Sequence, residues 1–416
     1  MASRFIVGLD IGTATTKVAV AELRNGKIIL RELYKEPTAG LRHGAVCDLA
    51  EAVPAVSRAL ERSKKLGRGV LRKVFANVGT PQIKVQHSKG IVAVSRADNE
   101  IYQDDIDRAI KASEAVNLSP NRIIIHNITR EYIVDGVPDI ANPLGLSGSR
   151  LEVGSVIIDA FAPHVKSVMR AIELSGGEIG ALIFNPLADA ASSLSKNQKE
   201  LGVAIVDIGF GTTSLAVYEE NKLTGVQIFP VGAGNITNDL AVGLRISVAA
   251  AENLKLQYGY AIASEVGSKE IVELKKFIPE AKNTVSRRFV SEIIESRLAE
   301  ILEFVNNELK LMGKAGRLAG GVVFVGGGSK MPGLTELAKQ ELKLSSQIGF
   351  ANGIGKWAKE GEMSMDEYLE DPEFTTTLGL LLEGIRQEGW EPSEKESLST
   401  IFSSKGLKGI FRSFLP

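Results

Sequence analysis

Apolar positions in residues 4–23, RFIVGLDIGTATTKVAVAEL, run along one strand, stop at a small polar turn and resume along a second. That pattern predicts a β-hairpin. It returns at 201–220 as LGVAIVDIGFGTTSLAVYEE, and from Asp10 and Asp207 onward seven of eleven positions are identical. A repeat at this distance is too long for a solenoid and predicts two related domains, each opening on the same hairpin. A third apolar run, at 322–325, ends in Gly326-Gly327-Gly328, and 334–343 reads as a helix. In FPVGAGNITNDLAVGL, 229–244, Gly232 and Gly234 precede a cap expected at Asn235 or Thr237, then a short helix and another over 249–259. Residues 82–94, 105–118 and 122–136 read as strand, helix and strand, a small α+β unit.

The last eleven residues, GLKGIFRSFLP, have a helical period. Leu407, Ile410, Phe411, Phe414 and Leu415 form one apolar stripe, with Lys408 and Arg412 on the polar side. Such a helix can lie in a membrane interface or dock on its own protein. The preceding stretch is rich in Glu, Ser and Lys, a linker composition. Five acids and two bases fall within 383–400, whereas 401–416 has three bases and no acidic side chain. Charge and apolarity switch together, which favours a leashed foot for an anionic lipid surface over a docked core helix.

Composition narrows the classes. The chain has 416 residues, 44% of them hydrophobic, enough for two or more domains. With 49 basic against 50 acidic residues, no basic field asks for nucleic acid. A single cysteine, Cys47, excludes an internal disulfide framework. His43 and His87 stand isolated, outside any metal spacing, and read as structural or surface residues. The N-terminal stretch lacks a signal-peptide pattern, and no run of about 18 apolar residues predicts a spanning helix.

The paired turns carry the candidate chemistry. Gly12 and Gly209 let the backbone turn tightly, and successive N–H groups in such turns form anion nests. Thr13, Thr15, Thr16, Thr212 and Thr213 add hydroxyls, and Lys17 adds a positive charge. Asp10 and Asp207 close their strands where carboxylates can hold a hydrated Mg²⁺ beside substrate phosphates. Two facing nests with two aspartates suit a clamp on a Mg-nucleoside phosphate.

These hairpins, the triple-glycine loop and PVGAGNITNDLAVGLR resemble the actin, heat-shock chaperone and sugar-kinase superfamily. More narrowly, GLRHGAVCDLAEAVPAVSRALERSKKLG (40–67), ANPLGLSGSRLEV (141–153) and ENLKLQYG (252–259) resemble the FtsA family of bacterial cell-division proteins, actin-like membrane anchors of the tubulin-like FtsZ. The resemblance implies a two-lobed, actin-like (ribonuclease H-like) α/β ATPase fold. It maps residues 1–84 and 159–200 to the first lobe, 85–158 to a small α+β insertion and 201–333 to the second lobe, helical near 235–305. Residues 334–385 would close the structure, 386–400 would form a linker and 401–416 the amphipathic helix. It implies ATP held by Asp10, Gly12, Thr13, Thr16 and Lys17 in the first loop and by Asp207, Gly209, Gly211, Thr212 and Thr213 in the second. Gly232 and Gly234 would lie near phosphates or ribose, Glu252 and Lys255 beside ribose and base, and Gly327, Gly328 and Met331 under the adenosine. Mg²⁺ would sit on Asp10 and Asp207 through water. The implied partners are the C-terminal peptide of FtsZ, other copies of the chain in a filament, anionic lipids and other division proteins, at the cytoplasmic face of the membrane at the division site.

Three positions depart from the family pattern. Phe210 stands for a glycine, Ser214 for an acid, and Asn185 for the Glu or Gln that orients water in relatives. Any ATP hydrolysis is therefore expected to be slow. A scaffold of a pilus or secretion machine and a small-metabolite kinase are the competing readings. The first would bind a membrane partner's peptide without a leashed tail. The second would need a substrate base, for which 60–200 offers no candidate.

Overall fold

A computed structural model describes residues 4–278, 284–352, 354, 357–359 and 365–390. The candidate membrane helix, with Leu407, Lys408, Ile410, Phe411, Arg412, Phe414 and Leu415, lies outside the described residues.

Each repeat opens a sheet built on the same plan. In the first lobe, Arg4–Ile11, Thr15–Arg24 and Lys27–Pro37 form an antiparallel meander. Val74–Val78 and then Ile179–Phe184 add in parallel on the other side of the first strand, in a six-stranded sheet that ends with Ala358–Lys359. The second lobe repeats the plan with Val203–Ile208, Thr213–Glu219 and Lys222–Phe229 as the meander, and Val322–Val325 and Ser346–Ile348 as the parallel additions. The central strands are buried on both faces, which explains their continuous apolar runs where an exposed hairpin would alternate.

Between the first-lobe segments stands a four-stranded antiparallel sheet in the order Ile83–Ala93, Arg150–Phe161, Arg122–Val134, Val137–Ile140. The helix Gln103–Ser113 covers it and closes a separate small core around Ile101, Ile106, Leu151 and Val153. In the second lobe, Ala233–Leu244, Val248–Tyr258 and Arg287–Leu311 enclose another core with Leu240, Leu254, Ile294 and Leu298.

Two sequence expectations shift. The helix expected after a cap at Asn235 or Thr237 begins at Ala233, with Gly232 as its N-cap. Asn235 instead reaches back from the first turn, its Oδ1 accepting the Gly232 N–H at 3.0 Å. The stretch read as linker from 383 is still helical, since Thr375–Gln387 is one helix. Glu383 is buried there and pairs with Arg386, and Ile385 is fully buried, so the first two charges of that stretch belong to a core helix.

That closing helix crosses the first strand and the helix Asn185–Ser193 at glycines. A Cβ on Gly379 would lie 1.9 Å from the Ala188 carbonyl oxygen, and one on Gly8 would lie 2.5 Å from that of Thr377. Gly379→Val is expected to lower stability by about 1–3 kcal/mol or more through overpacking. The readout is the urea midpoint at unchanged slope; a wild-type midpoint would show that the helix can shift at no cost.

Candidate functional site

The two turns close in the same way. In the first, the Gly12 N–H donates to Thr15 O at 3.1 Å; in the second, Gly209 N–H donates to Thr212 O at 2.9 Å. Strand alternation then decides which side chains face the space between the lobes. Thr15 and Lys17 face it, as do Thr13 and Thr212. Thr16 and Thr213, expected as nucleotide ligands, are turned away. Thr16 is fully buried with its hydroxyl 2.7 Å from that of Thr38, and the Thr213 hydroxyl donates to Val231 O at 2.8 Å. These hydroxyls fasten each hairpin to its own lobe.

Behind the turns the two aspartates meet different partners. Asp10 stands across the strand pair from Lys17, whose Nζ lies 3.1 Å from Asp10 Oδ2. Asn77 donates to Asp10 Oδ1 at 2.8 Å and accepts the Ile11 N–H at 2.8 Å. Burial pulls the Lys17 pKa down, but Asp10 and then Glu373 outweigh it and the value is raised, so the ammonium stays charged. Asp207 stands across from Ser214, which brings no charge, and the Ser214 hydroxyl is itself buried without a partner. Burial, followed by the neighbouring Asp10 charge, raises the Asp207 pKa to about 7 against the pull of Lys17. A third acid, Asp189, is fully buried beneath them and accepts from Thr376 Oγ1 at 2.6 Å. Burial and then Asp207 raise its pKa well above the carboxylate range. A divalent cation between Asp10 and Asp207 would relieve this crowding.

The turns also touch each other. A Cβ on Gly211 would lie 2.7 Å from Thr13 Oγ1, so only glycine lets them approach this closely. The loop 40–48 spans the contact. His43, read from sequence as isolated, donates from Nδ1 to Gly211 O at 2.7 Å, and the Gly44 N–H donates to Thr13 Oγ1 at 3.1 Å.

Gly232 and Gly234, expected near phosphate or ribose, pack against the second turn itself. A Cβ on Gly232 would lie 2.5 Å from Gly209 O, and one on Gly234 2.7 Å from the Phe210 ring. The helix start is consumed by the turn, because the N–H groups of Ala233 and Gly234 donate to the carbonyls of Gly209 and Phe210, each at 2.8 Å. Ala233 lines the cleft instead. Phe210 packs into the notch that Gly234 leaves, with the Lys255 amino group 5.7 Å from its ring centre. Lys255 is buried, which lowers its pKa against the opposing pull of Glu252, 2.8 Å away.

Gly327, Gly328 and Met331 line the same cleft. Gly326, although part of the triple glycine, was not singled out; its φ is +84° and a Cβ there would lie 2.0 Å from Asp207 Oδ1. Asn185 opens its helix against Gly79, with its Oδ1 buried and unpartnered beside the cleft. Asn77, Asp189, Lys35, Lys330 and Glu373 escaped the sequence reading. Only Lys330, two residues past the triple glycine, carried a local signal.

The cleft between the lobes holds about 440 Å³, within the range of small-molecule sites. Its donors are backbone amides, threonine hydroxyls and lysines, and Asp10 and Asp207 stand behind the turns. That set fits a nucleoside phosphate with a hydrated cation. Among the described residues no group of three or more His, Cys, Asp or Glu forms a metal cage. Two carboxylates with waters and phosphates are the ordinary Mg²⁺ arrangement.

Comparison with known proteins follows the same lines. Two family models match: cell division protein FtsA over residues 204–379, and the SHS2 domain inserted in FtsA over 81–158. Cell division protein FtsA of Bacillus subtilis (strain 168) is 35% identical over 375 residues, covering 90% of this chain and 82% of that one. Its namesake in Escherichia coli (strain K12) is 30% identical over 386 residues, covering 91% and 90%. Among solved structures, the PilM-PilN type IV pilus biogenesis complex superposes with a TM-score of 0.64 at 18% identity, covering 91% of this chain and 98% of that one. MreB5 of Spiroplasma citri bound to ADP gives 0.54 at 13% identity, covering 92% and 98%. These two likenesses establish the actin-like fold and nothing finer. The inserted domain is matched in its own right and the sequence relatives span most of both chains: the chain belongs to the FtsA family of cell division proteins.

Proposed function

We propose that the chain is an ATP-binding, polymerising adaptor that ties the tubulin-like FtsZ to the cytoplasmic face of the cell membrane at the division site. The observation that carries the nucleotide reading is the meeting of two like turns, Thr13 against Gly211, with Asp10 and Asp207 behind them. Backbone amides of both turns and Lys17 would hold the phosphates. Asp10 and Asp207 would hold Mg²⁺ through water, and the cation would neutralise phosphate charge. Glu252 and Lys255 flank the sugar end, and Gly327, Gly328 and Met331 supply a flat bed for the base.

The anchoring part rests on the tail sequence. Five apolar side chains, worth about 1.5–3 kcal/mol each when buried, roughly offset the ordering of about ten residues. Each basic residue adds about 1 kcal/mol near anionic lipid. One foot therefore binds reversibly and a filament of feet binds tightly. In pelleting with anionic vesicles, the intact chain with ATP is expected to sediment and a chain ending at Thr400 to stay in solution. The same tubes can carry FtsZ. Equal pelleting of both chains would remove the anchor from the proposal.

Turnover should be slow. Asn185 is one methylene shorter than the Gln it replaces, and its amide is wedged against Gly79. Phosphate release well below about 1 s⁻¹, the floor of the ordinary range, is expected. A faster steady-state rate would show that the departures at 185, 210 and 214 do not limit the chemistry.

A further inference from the structure

Four charged groups gather at the cleft wall next to the first turn. Glu373 follows Pro372 in the short turn that leads into the closing helix. Its Oε2 lies 2.7 Å from Lys35 Nζ and 3.6 Å from Lys330 Nζ. Its Oε1 accepts from Thr15 Oγ1 at 3.2 Å and lies 3.9 Å from Lys17 Nζ. The lysines come from three separate elements, two strands of the first lobe and the turn Gly327–Lys330 after the triple glycine. Two further carboxylates face the group, Asp10 on Lys17 and Asp371 on Lys330 at 2.6 Å. All four side chains line the cleft. The Glu373 side chain is only 14% exposed, whereas those of Lys35 and Lys330 are 36% and 44% exposed and within reach of a ligand. Burial pushes the Glu373 pKa up, but Lys17, Lys35 and Lys330 outweigh it and hold it below the usual value.

We propose that Lys17, Lys35 and Lys330 form a phosphate subsite whose internal anion is the Glu373 carboxylate, and that the phosphate chain of a nucleotide takes over these lysines by displacing it. The subsite rests on the reading of the cleft as a nucleotide site. It adds Lys35 and Lys330 as phosphate ligands and makes Glu373 a competitor that penalises each added phosphate. Glu373 stands two residues before the helix that crosses Gly8 and Ala188, so its release would move the end of a core helix. Nucleotide charge would thereby reach the packing of the first lobe.

The test titrates the full chain with ATP, ADP, adenosine and inorganic tripolyphosphate, following bound ligand by calorimetry. Glu373→Gln is expected to raise affinity for ATP and tripolyphosphate by roughly fivefold, the size of one unit charge at several ångströms in a partly wet cleft. Adenosine affinity should stay unchanged. Lys35→Ala and Lys330→Ala should each weaken both phosphate ligands and leave adenosine alone. Melting curves of each variant confirm that it folds, and Glu373→Asp, which keeps the charge, should stay near wild type. If ATP binds but E373Q leaves its affinity unchanged or lowers it, the subsite is wrong and the nucleotide reading survives. Likewise, unchanged tripolyphosphate binding in K35A and K330A overturns the subsite. If tripolyphosphate binds and responds to E373Q while ATP, ADP and adenosine show no preference over it, the subsite stands and the nucleotide reading fails.

Discussion

Asp207→Asn should sharply reduce the Mg²⁺ dependence of ATP binding and, without nucleotide, raise the melting temperature above pH 7. Both effects come from one carboxylate. Asp207 sits at a strand end among Asp10, Ser214 and the triple-glycine loop, and its folded pKa is raised to about 7. A group whose folded pKa lies above its unfolded value stabilises the fold below the unfolded value and loses that contribution as pH rises through the folded one. For Asp207 the window runs from about 4 to about 7. Above it the chain carries a buried charge opposed by Lys17, and asparagine removes that charge. The same charge is what a divalent cation would bind. Wild-type affinity for ATP without Mg²⁺ should therefore fall between pH 6 and pH 8, while the gain from Mg²⁺ grows. Titrations at both pH values, with and without Mg²⁺, read this directly, and melting curves read the stability arm. An equal Mg²⁺ gain in wild type and D207N would take the cation away from this acid.

Replacing both Phe411 and Phe414 with glutamate should eliminate sedimentation with anionic vesicles and leave ATP affinity and melting temperature unchanged. The two rings fall on one helical stripe with Leu407, Ile410 and Leu415. Two glutamates put charge where acyl chains would lie and cancel most of the contribution of Lys405, Lys408 and Arg412. Lys408→Glu should have a smaller effect that added salt diminishes, because it removes attraction and not apolar contact. A tail docked on its own body behaves differently. The double variant would then melt several degrees lower and vesicles would not matter. Co-sedimentation and melting on the same samples separate the two.

The hairpins were legible because they are buried on both faces and occur twice, so length, glycine and repetition agreed. The inward and outward threonines were not separated, although the register contains the answer. Asp10 pairs with Lys17, so both lie on one face and Thr16 on the other. Adjacent identical residues hide this parity until the turn length is known. Asn77, Asp189 and Glu373 left no local trace, since each reaches its partner across the fold: Asn77 to Asp10, Asp189 to Thr376, Glu373 to Lys35. Glu383 misled for the opposite reason. A charged residue near a polar stretch reads as solvent-facing, and only its pairing with Arg386 inside a core helix reveals otherwise.

The lysine at 17 opposite Asp10 and the serine at 214 opposite Asp207 bear on molecular history and polarity. A half-length ancestor acting as a symmetric pair would have offered the same residue from both sides. A ligand with sugar at one end and phosphates at the other could then enter in two equivalent ways. One internally neutralised acid and one left bare abolish that equivalence. Each subunit would hold its nucleotide in a single direction.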